Sequence, residues 1–288
     1  MFRLGRDGGW PHRLTFRTEG VDFATVSPDA SAMVLGYDRE GDEDHGLFLR
    51  PTADGGVERA LAARPGVKHG SVVWSEDGTR VFFRSNARHP DEFALFTMAV
   101  GDVEPTPVLT APGRWSVEAV DREARRLMVS KEVSSRANTL HLLTLATGAL
   151  VELDPAPAGR EVETSGVAFA RGDADVVFLS DRDGDWRRPY ALTLATGAVR
   201  AFDAPPGDVE GLAVSADGAT VALNVNDGGR SRLVARDVAT GAARPAPDVG
   251  ASLVGGVAID TRGSWCYGTS SASTPGTGRP SGSSCTSI

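Results

Sequence analysis

Residues 72–85 read VVWSEDGTRVFFRS. An apolar run ends at Trp74, then Ser75, Asp77 and Gly78 supply turn chemistry, and a second apolar run occupies Val81–Phe83. Asp and Ser side chains bond nearby backbone and Gly accepts positive φ, so the stretch predicts two short strands joined by a tight turn. The phrase returns as VSPDASAMVL around Asp29 and VSADGATVAL around Asp217. Weaker copies are VDREARRLMV around Glu123 and FARGDADVVF around Gly172, and IDTRGSW around Arg262 begins another. Successive anchors are 48, 46, 49, 45 and 45 residues apart. Such even spacing marks one supersecondary unit repeated along the chain.

The rest of the unit repeats as well. A polar turn follows the second strand, as DREGDEDHG, NARHPDE, DRDGDWRR or NDGGRS. A third strand follows, as GLFLR, FALFTMAV, TLHLLTL, PYALTL or RLVARDV, and runs into ADGG or ATGA. The Gly there suits a hairpin turn, and a short fourth strand such as ALVEL or AVRAF closes the unit. Four antiparallel strands per unit of this length predict the blade of a β-propeller. No amphipathic helical period supports a helical solenoid. One blade cannot bury both of its faces, so stacked neighbours must cover each other. The anchor Asp residues are accordingly read as turn formers.

Phrases such as SPDAS, SEDGT and SADGA, together with SDRDGDWRRPYALTLATG and NVNDGGRSRLVARDVATG, resemble the propeller of the prolyl oligopeptidase family of serine peptidases. They are similar also to TolB-type propellers. The Gly-His and Trp-Asp signature of WD repeats is missing. The resemblance runs from about residue 14 to 262, and the long charged turns favour the peptidase branch. It implies a propeller that gates a separate α/β-hydrolase domain bearing a Ser-Asp-His triad. That triad needs a G-x-S-x-G elbow, which holds the Ser on a sharp strand-to-helix turn. Ser231, Ser252, Ser270 and Ser284 have Gly two residues before but not two after. No catalytic residue of the family transfers, and no residue is assigned to a cofactor or a metal.

The expected organisation is an N-terminal extension over 1–13, a propeller over 14–262 and an aberrant or disordered tail over 263–288. The fold class is all-β, with about five complete four-stranded blades and partial blades at both ends. RLTFRTEGVDF reads as the last strand of a preceding blade. From Gly268 onward there is no Asp, Glu, Leu or Val, and the stretch is rich in Ser, Gly, Thr and Pro. An out-of-frame or truncated gene is the expectation for that end. Open blade edges predict self-association.

Thirty-eight acidic against 30 basic residues give a formal charge of −8, and the basic stripe of a nucleic-acid binder is missing. Lys68 and Lys131 are the only lysines, an arginine bias that suggests a bacterial, GC-rich source. No apolar run has the roughly 20 residues of a membrane helix. MFRLGRDGGW lacks a secretory core, so the chain reads as cytoplasmic. Both cysteines, Cys266 and Cys285, lie in the tail. The propeller body therefore has neither a disulfide framework nor a thiolate metal site.

Asp181, Asp183 and Asp185 share the spacing that opens a calcium loop. Trp186 and Leu192 stand where that loop needs its Gly and its bidentate Glu, so a solvated turn is expected. The acidic group Asp38, Glu40, Asp42, Glu43 and Asp44 reads the same way. His12, His45, His69, His89 and His141 lack zinc spacing. NDGGRS lacks the lysine of a phosphate loop and suits a hairpin. Trp74 is expected in the core.

Two functional classes stand. One is the gating propeller of a prolyl oligopeptidase-like peptidase, which meets peptide substrate only with a catalytic domain present. The other is a TolB-like scaffold that binds a protein partner. A propeller lactonase or glycosidase has no constellation to support it.

Overall fold

Runs rich in Val, Leu and Phe, each broken by a Ser-Asp or Thr-Gly turn, are too short for helices and long enough for strands. The computed structural model describes residues 2–3, 10, 12–15, 20–153, 156–157, 159–250, 252–259, 264–271 and 282–286. For 2–3, 252, 268–271 and 282–286 it describes the backbone alone. Sheet one comprises Phe23–Val26, Ala32–Tyr37, Gly46–Pro51 and Arg59–Ala62. Sheet two comprises His69–Trp74, Arg80–Ser85, Ala94–Ala99 and Thr106–Leu109. Sheet three comprises Arg114–Val120, Arg126–Ser134, Ala137–Thr144 and Ala149–Leu153. Sheet four comprises Thr164–Ala170, Asp175–Ser180, Arg188–Thr193 and Ala198–Ala201. Sheet five comprises Asp208–Val214, Thr220–Asn226, Ser231–Asp237 and Ala243–Arg244.

Each of these five sheets pairs its four strands in chain order. Sheet six has three strands, Ser252–Ile259, Trp265–Ser271 and Gly282–Thr286. The last two come from the stretch read as a tail, and Cys266 faces Cys285 in their register. The anchor Arg262 and residues 272–281 lie outside the described residues. Phe2–Arg3 pairs with His12–Arg13 within the expected N-terminal extension.

The chain divides into two compact units. One is Met1–Val133 with Leu140–Glu152, and the other is Ser134–Thr139 with Leu153–Ile288. In the first unit, Val81 and Phe83 join a core with Val34, Leu47, Leu49 and Leu61 of sheet one. Phe82, between them, joins Trp115, Val117, Leu127 and Leu143 of sheet three. Alternate side chains of one strand point to opposite faces, so sheet two serves two neighbours at once. In the second unit, Val177, Leu179 and Phe202 of sheet four pack with Val209, Val221 and Leu223 of sheet five. Ala222, Leu233 and Ala235 of sheet five pack with Val254 and Trp265 of sheet six. A strand buried on both faces needs an unbroken apolar run, which explains VVFL at 176–179.

The anchor phrase has a definite structure. Ser27, Ser75 and Ser215 Oγ donate to Oδ1 of Asp29, Asp77 and Asp217 at 2.6, 2.6 and 2.5 Å. The same hydroxyls accept the N–H of Ala32, Arg80 and Thr220 at 3.0, 3.1 and 2.9 Å. The aspartates also accept the N–H of Ser31, Thr79 and Ala219 at 3.0, 3.0 and 2.9 Å. Serine and carboxylate thus replace the backbone partners a tight turn leaves unpaired. In sheet three Asp121 stands where the three clear copies have Ser, and its Oδ1 accepts the N–H of Arg125 and Arg126 at 2.7 and 3.0 Å. In sheet four the turn at Arg171, Gly172 and Asp173 has positive φ at all three residues. Arg171 closes it with a 2.8 Å bond to Asp175.

First strands carry a second repeated feature. Register shifts fall at Gly70/Val73, Val117/Ala119, Ser165/Ala168, Val209/Gly211 and Val254/Gly256, in every sheet from two to six. A bulge bends a strand and sharpens its twist. The Thr-Gly hairpins behave as their sequence predicts. Gly148, Gly197 and Gly241 have φ of 68°, 70° and 76°, and the preceding Thr hydroxyl accepts the N–H two residues on at 3.2 Å each time.

Candidate functional site

The turns between second and third strands carry the charge, so they are the places to look for chemistry. After the second strand of sheet two, Asn86 exchanges hydrogen bonds with Lys68: Lys68 N–H donates to Oδ1 at 2.7 Å and Asn86 N–H to Lys68 O at 3.2 Å. Asp181 occupies the corresponding place in sheet four and does the same with Glu163, at 2.8 and 3.3 Å. Since an uncharged Asn does this work in one sheet, Asp181 there is a backbone clamp. Asp183 is taken up separately, accepting from Tyr190 Oη at 2.7 Å. The Asp-x-Asp-x-Asp spacing therefore does not gather three carboxylates. No group of three His, Cys, Asp or Glu arranged for a metal ion exists among the described residues.

The same turn is nonetheless built rigidly. Arg160 reaches Asp181 O at 2.8 Å and also Gly184 O. Arg187 donates its N–H and Nη2 to the Asp208 carboxylate at 2.8 and 2.7 Å, a pairing that raises the guanidinium pKa. Burial and the Asp183 carboxylate push the Tyr190 phenol well above its usual value. Tyr190 stacks on Phe178 with ring centroids 5.6 Å apart. Trp186 stays half-exposed, with Arg188 5.7 Å from its ring centroid. A fixed aromatic ring beside arginine is the residue mix that anchors protein and peptide contacts.

The acidic turn of sheet one folds on itself. Asp42 Oδ1 accepts the N–H of Arg39 and Asp44 at 3.2 and 3.0 Å, and these bonds hold its pKa below the usual range. Asp38 accepts from Glu43 N–H at 3.3 Å and Asp44 from Gly66 N–H at 3.0 Å.

The histidines separate by role. His45 Nε2 lies 3.3 Å from Asp22, and His69 Nδ1 lies 3.0 Å from His45 O. The structure thus brings these two together through a backbone carbonyl. His141 is buried edge-on against Trp115, centroids 5.1 Å apart, and His89 Nδ1 accepts from Asp91 N–H at 3.3 Å. His12 is exposed on its short strand. Trp74 is buried as expected, its Nε1 donating to Thr25 O at 3.3 Å. Ser231, one of the four serines inspected for an elbow, is buried and accepts Val254 N–H at 2.8 Å.

Sequence reading missed the Arg187–Asp208 pair and the Tyr190–Asp183 bond. The only available signal was the density of Arg and Tyr beside the aspartates, which names no partner.

No known protein family matches the sequence, and no curated protein does. Solved structures do match the shape. TolB from Acinetobacter baumannii superposes with a TM-score of 0.61 at 12% identity, covering 82% of this chain and 56% of its own. A puromycin-hydrolysing peptidase from Mycobacterium tuberculosis gives 0.64 at 15%, covering 83% of this chain and 38% of its own. The fold is a TolB-like β-propeller. Its sheets are blades of the kind shared by TolB and the prolyl peptidases, and a prolyl endopeptidase structure matches 93% of this propeller with 50% of its own length. The chain thus spans 56% of that Acinetobacter TolB and half or less of the two peptidases.

Proposed function

We propose that this chain is the substrate-gating propeller of a prolyl oligopeptidase-like serine peptidase, without catalytic groups of its own. The observation that carries the reading is the charged turn of blade four. Arg160, Arg187 and Tyr190 hold it in one shape while Trp186 stays half-exposed, with Arg188, which donates to Pro205 O at 2.8 Å, beside its ring. Fixed aromatic and cationic groups can select an extended peptide before it reaches a separate catalytic centre. The peptidase neighbours support the reading, since this propeller matches only part of each of them.

A second reading, a TolB-like scaffold that binds a protein partner, is favoured by a different match. A TolB candidate from Agrobacterium tumefaciens aligns over 82% of this chain and 81% of its own, at a TM-score of 0.60 and 14% identity. One experiment separates the readings and a second tests both. The coding DNA from codon 255 onward, translated in all three frames, should continue blade six into a G-x-S-x-G elbow under the first. Three frames that close shortly after codon 288 leave the scaffold reading. The purified chain should not turn over peptidyl-proline chromogenic substrates. Turnover abolished by a serine-directed phosphonate would sink both readings.

A further inference from the structure

Sheet six differs from the other five in how its third strand is held. In blades one to five that strand carries buried apolar side chains, among them Leu47, Leu95, Leu143, Leu192 and Leu233. The third strand of blade six, Gly282–Thr286, reads GSSCT and has no Val, Leu, Ile or aromatic residue to bury. Residues 272–281 join it to the strand before, the longest of the six connections between second and third strands. A longer connection costs more chain entropy to close, and backbone hydrogen bonds alone return little net stability in water. Both effects make this the least firmly held third strand of the six.

The other two strands of the blade have apolar anchors. Val254 of the first strand and Trp265 at the start of the second are buried with Ala222, Leu233 and Ala235 of blade five. The third strand has a covalent tie instead. Cys266 is in a disulfide, Cys285 is the only other cysteine of the chain, and the two are register partners across the antiparallel pair. Opposed residues in such a pair have Cα atoms about 4.5–5.5 Å apart, within the roughly 4.4–6.8 Å that a disulfide spans. Cys266 directly follows Trp265, so the tie sits beside an apolar anchor of the blade.

We propose that the Cys266–Cys285 bond holds the third strand of blade six in place, so that the blade is complete only in the oxidised chain. The bond forms by thiol–disulfide exchange with a disulfide donor such as oxidised glutathione. The two cysteine thiols give up two protons and two electrons, the S–S bond of the donor breaks, and the donor leaves as two thiols. The cross-link removes most of the closure entropy of the 272–281 connection. Reduction restores that entropy, and Gly282–Thr286 leaves the sheet while Ser252–Ile259 and Trp265–Ser271 stay packed on blade five. A reducing cytosol keeps such pairs as thiols. The complete blade therefore belongs where thiols are oxidised, which departs from the cytoplasmic location expected above. The proposal is separate from both readings of function, because it is read on the chain ending at Ile288 and on neither substrate nor partner.

The test compares the full chain equilibrated with oxidised glutathione and with dithiothreitol. Under denaturing conditions a maleimide should label no cysteine in the first sample and both in the second. Chymotrypsin cuts after Tyr267, between the cysteines, so the fragments carrying Cys266 and Cys285 should stay joined until reduced. Amides of Gly282–Thr286 should exchange with solvent at least about tenfold faster in the reduced chain, and those of Val221–Leu223 should keep their rate. The double variant Cys266→Ser, Cys285→Ser should exchange at the reduced rate in both buffers. Thiols that stay free in oxidised glutathione overturn the proposal, as does a disulfide between two chains. Equal exchange of Gly282–Thr286 in the two samples overturns it as well, and so does a loss of protection that extends to Val221–Leu223.

Discussion

A serine hydroxyl caught between a carboxylate and a backbone N–H decides how each clear anchor behaves in acid. The Ser27 hydroxyl, then the Ser31 N–H and hydroxyl, hold Asp29 down to about 2, and the same kinds of bond lower Asp77 and Asp217. A folded-state pKa below the unfolded value means that the folded chain binds fewer protons than the unfolded chain in that range. The anchors therefore stabilise the fold fully above about pH 4 and lose that contribution as pH falls toward 2. Urea midpoints followed from pH 5 to pH 2 should drop, and Ser27→Ala should flatten part of the slope by returning Asp29 toward an ordinary carboxylate. Ser75→Ala, which leaves the Arg80 N–H without its side-chain acceptor, should cost about 1–2 kcal/mol at neutral pH. Equal acid slopes for the parent and Ser27→Ala chains would remove serine from this account.

Between elements, stability lies in residues that serve two blades. Phe82 is fully buried against blade three while its neighbours face blade one, so Phe82→Ala should cost about 3–5 kcal/mol. The glycines make a sharper test. Gly218 has φ of 70°, and a Cβ there would stand 2.5 Å from the Arg171 N of blade four. Gly241 has φ of 76°, but its Cβ would meet only the Arg200 Nη1 tip at 3.1 Å. Gly241→Ala should cost about 1–2 kcal/mol for the backbone alone. Gly218→Ala should cost clearly more, because backbone cannot move aside as a side-chain tip can. Equal losses in thermal melts would contradict the contact. The same contrast explains what the sequence disclosed. Ser75 with Asp77 is legible because its partners lie within five residues. Asp121 and the Arg171–Asp175 pair read as weak copies, since different side chains close the same turn. Trp265–Ser271 pairs in a sheet although its composition resembles a tail, because the backbone can supply a ladder where side chains offer little.

At the scale of the molecule, burial should grade the opening of the chain. Amides of Val81–Phe83, Val176–Leu179 and Val221–Leu223 lie on second strands buried on both faces, so they should exchange with solvent last. Those of the exposed Asp38–Asp44 turn should exchange first. Uniform exchange rates across these segments would contradict this order. The blade count follows from a period that runs through the whole sequence. The opposition of Cys266 and Cys285 does not, because it depends on the pairing register of two strands whose sequences carry no repeat phrase.

The anchor turn has one more consequence. Its bonds begin and end within the six residues from Ser75 to Arg80, so the turn brings its own closure wherever it is copied. A duplicated segment needs only apolar faces that suit the adjacent blade. The residues of a copy can differ, provided that some side chain still closes the turn, as Asp121 and Arg171 do. A turn closed from within lets each blade keep its corner whatever its neighbour's sequence, so the exceptions to the repeat cost the fold little.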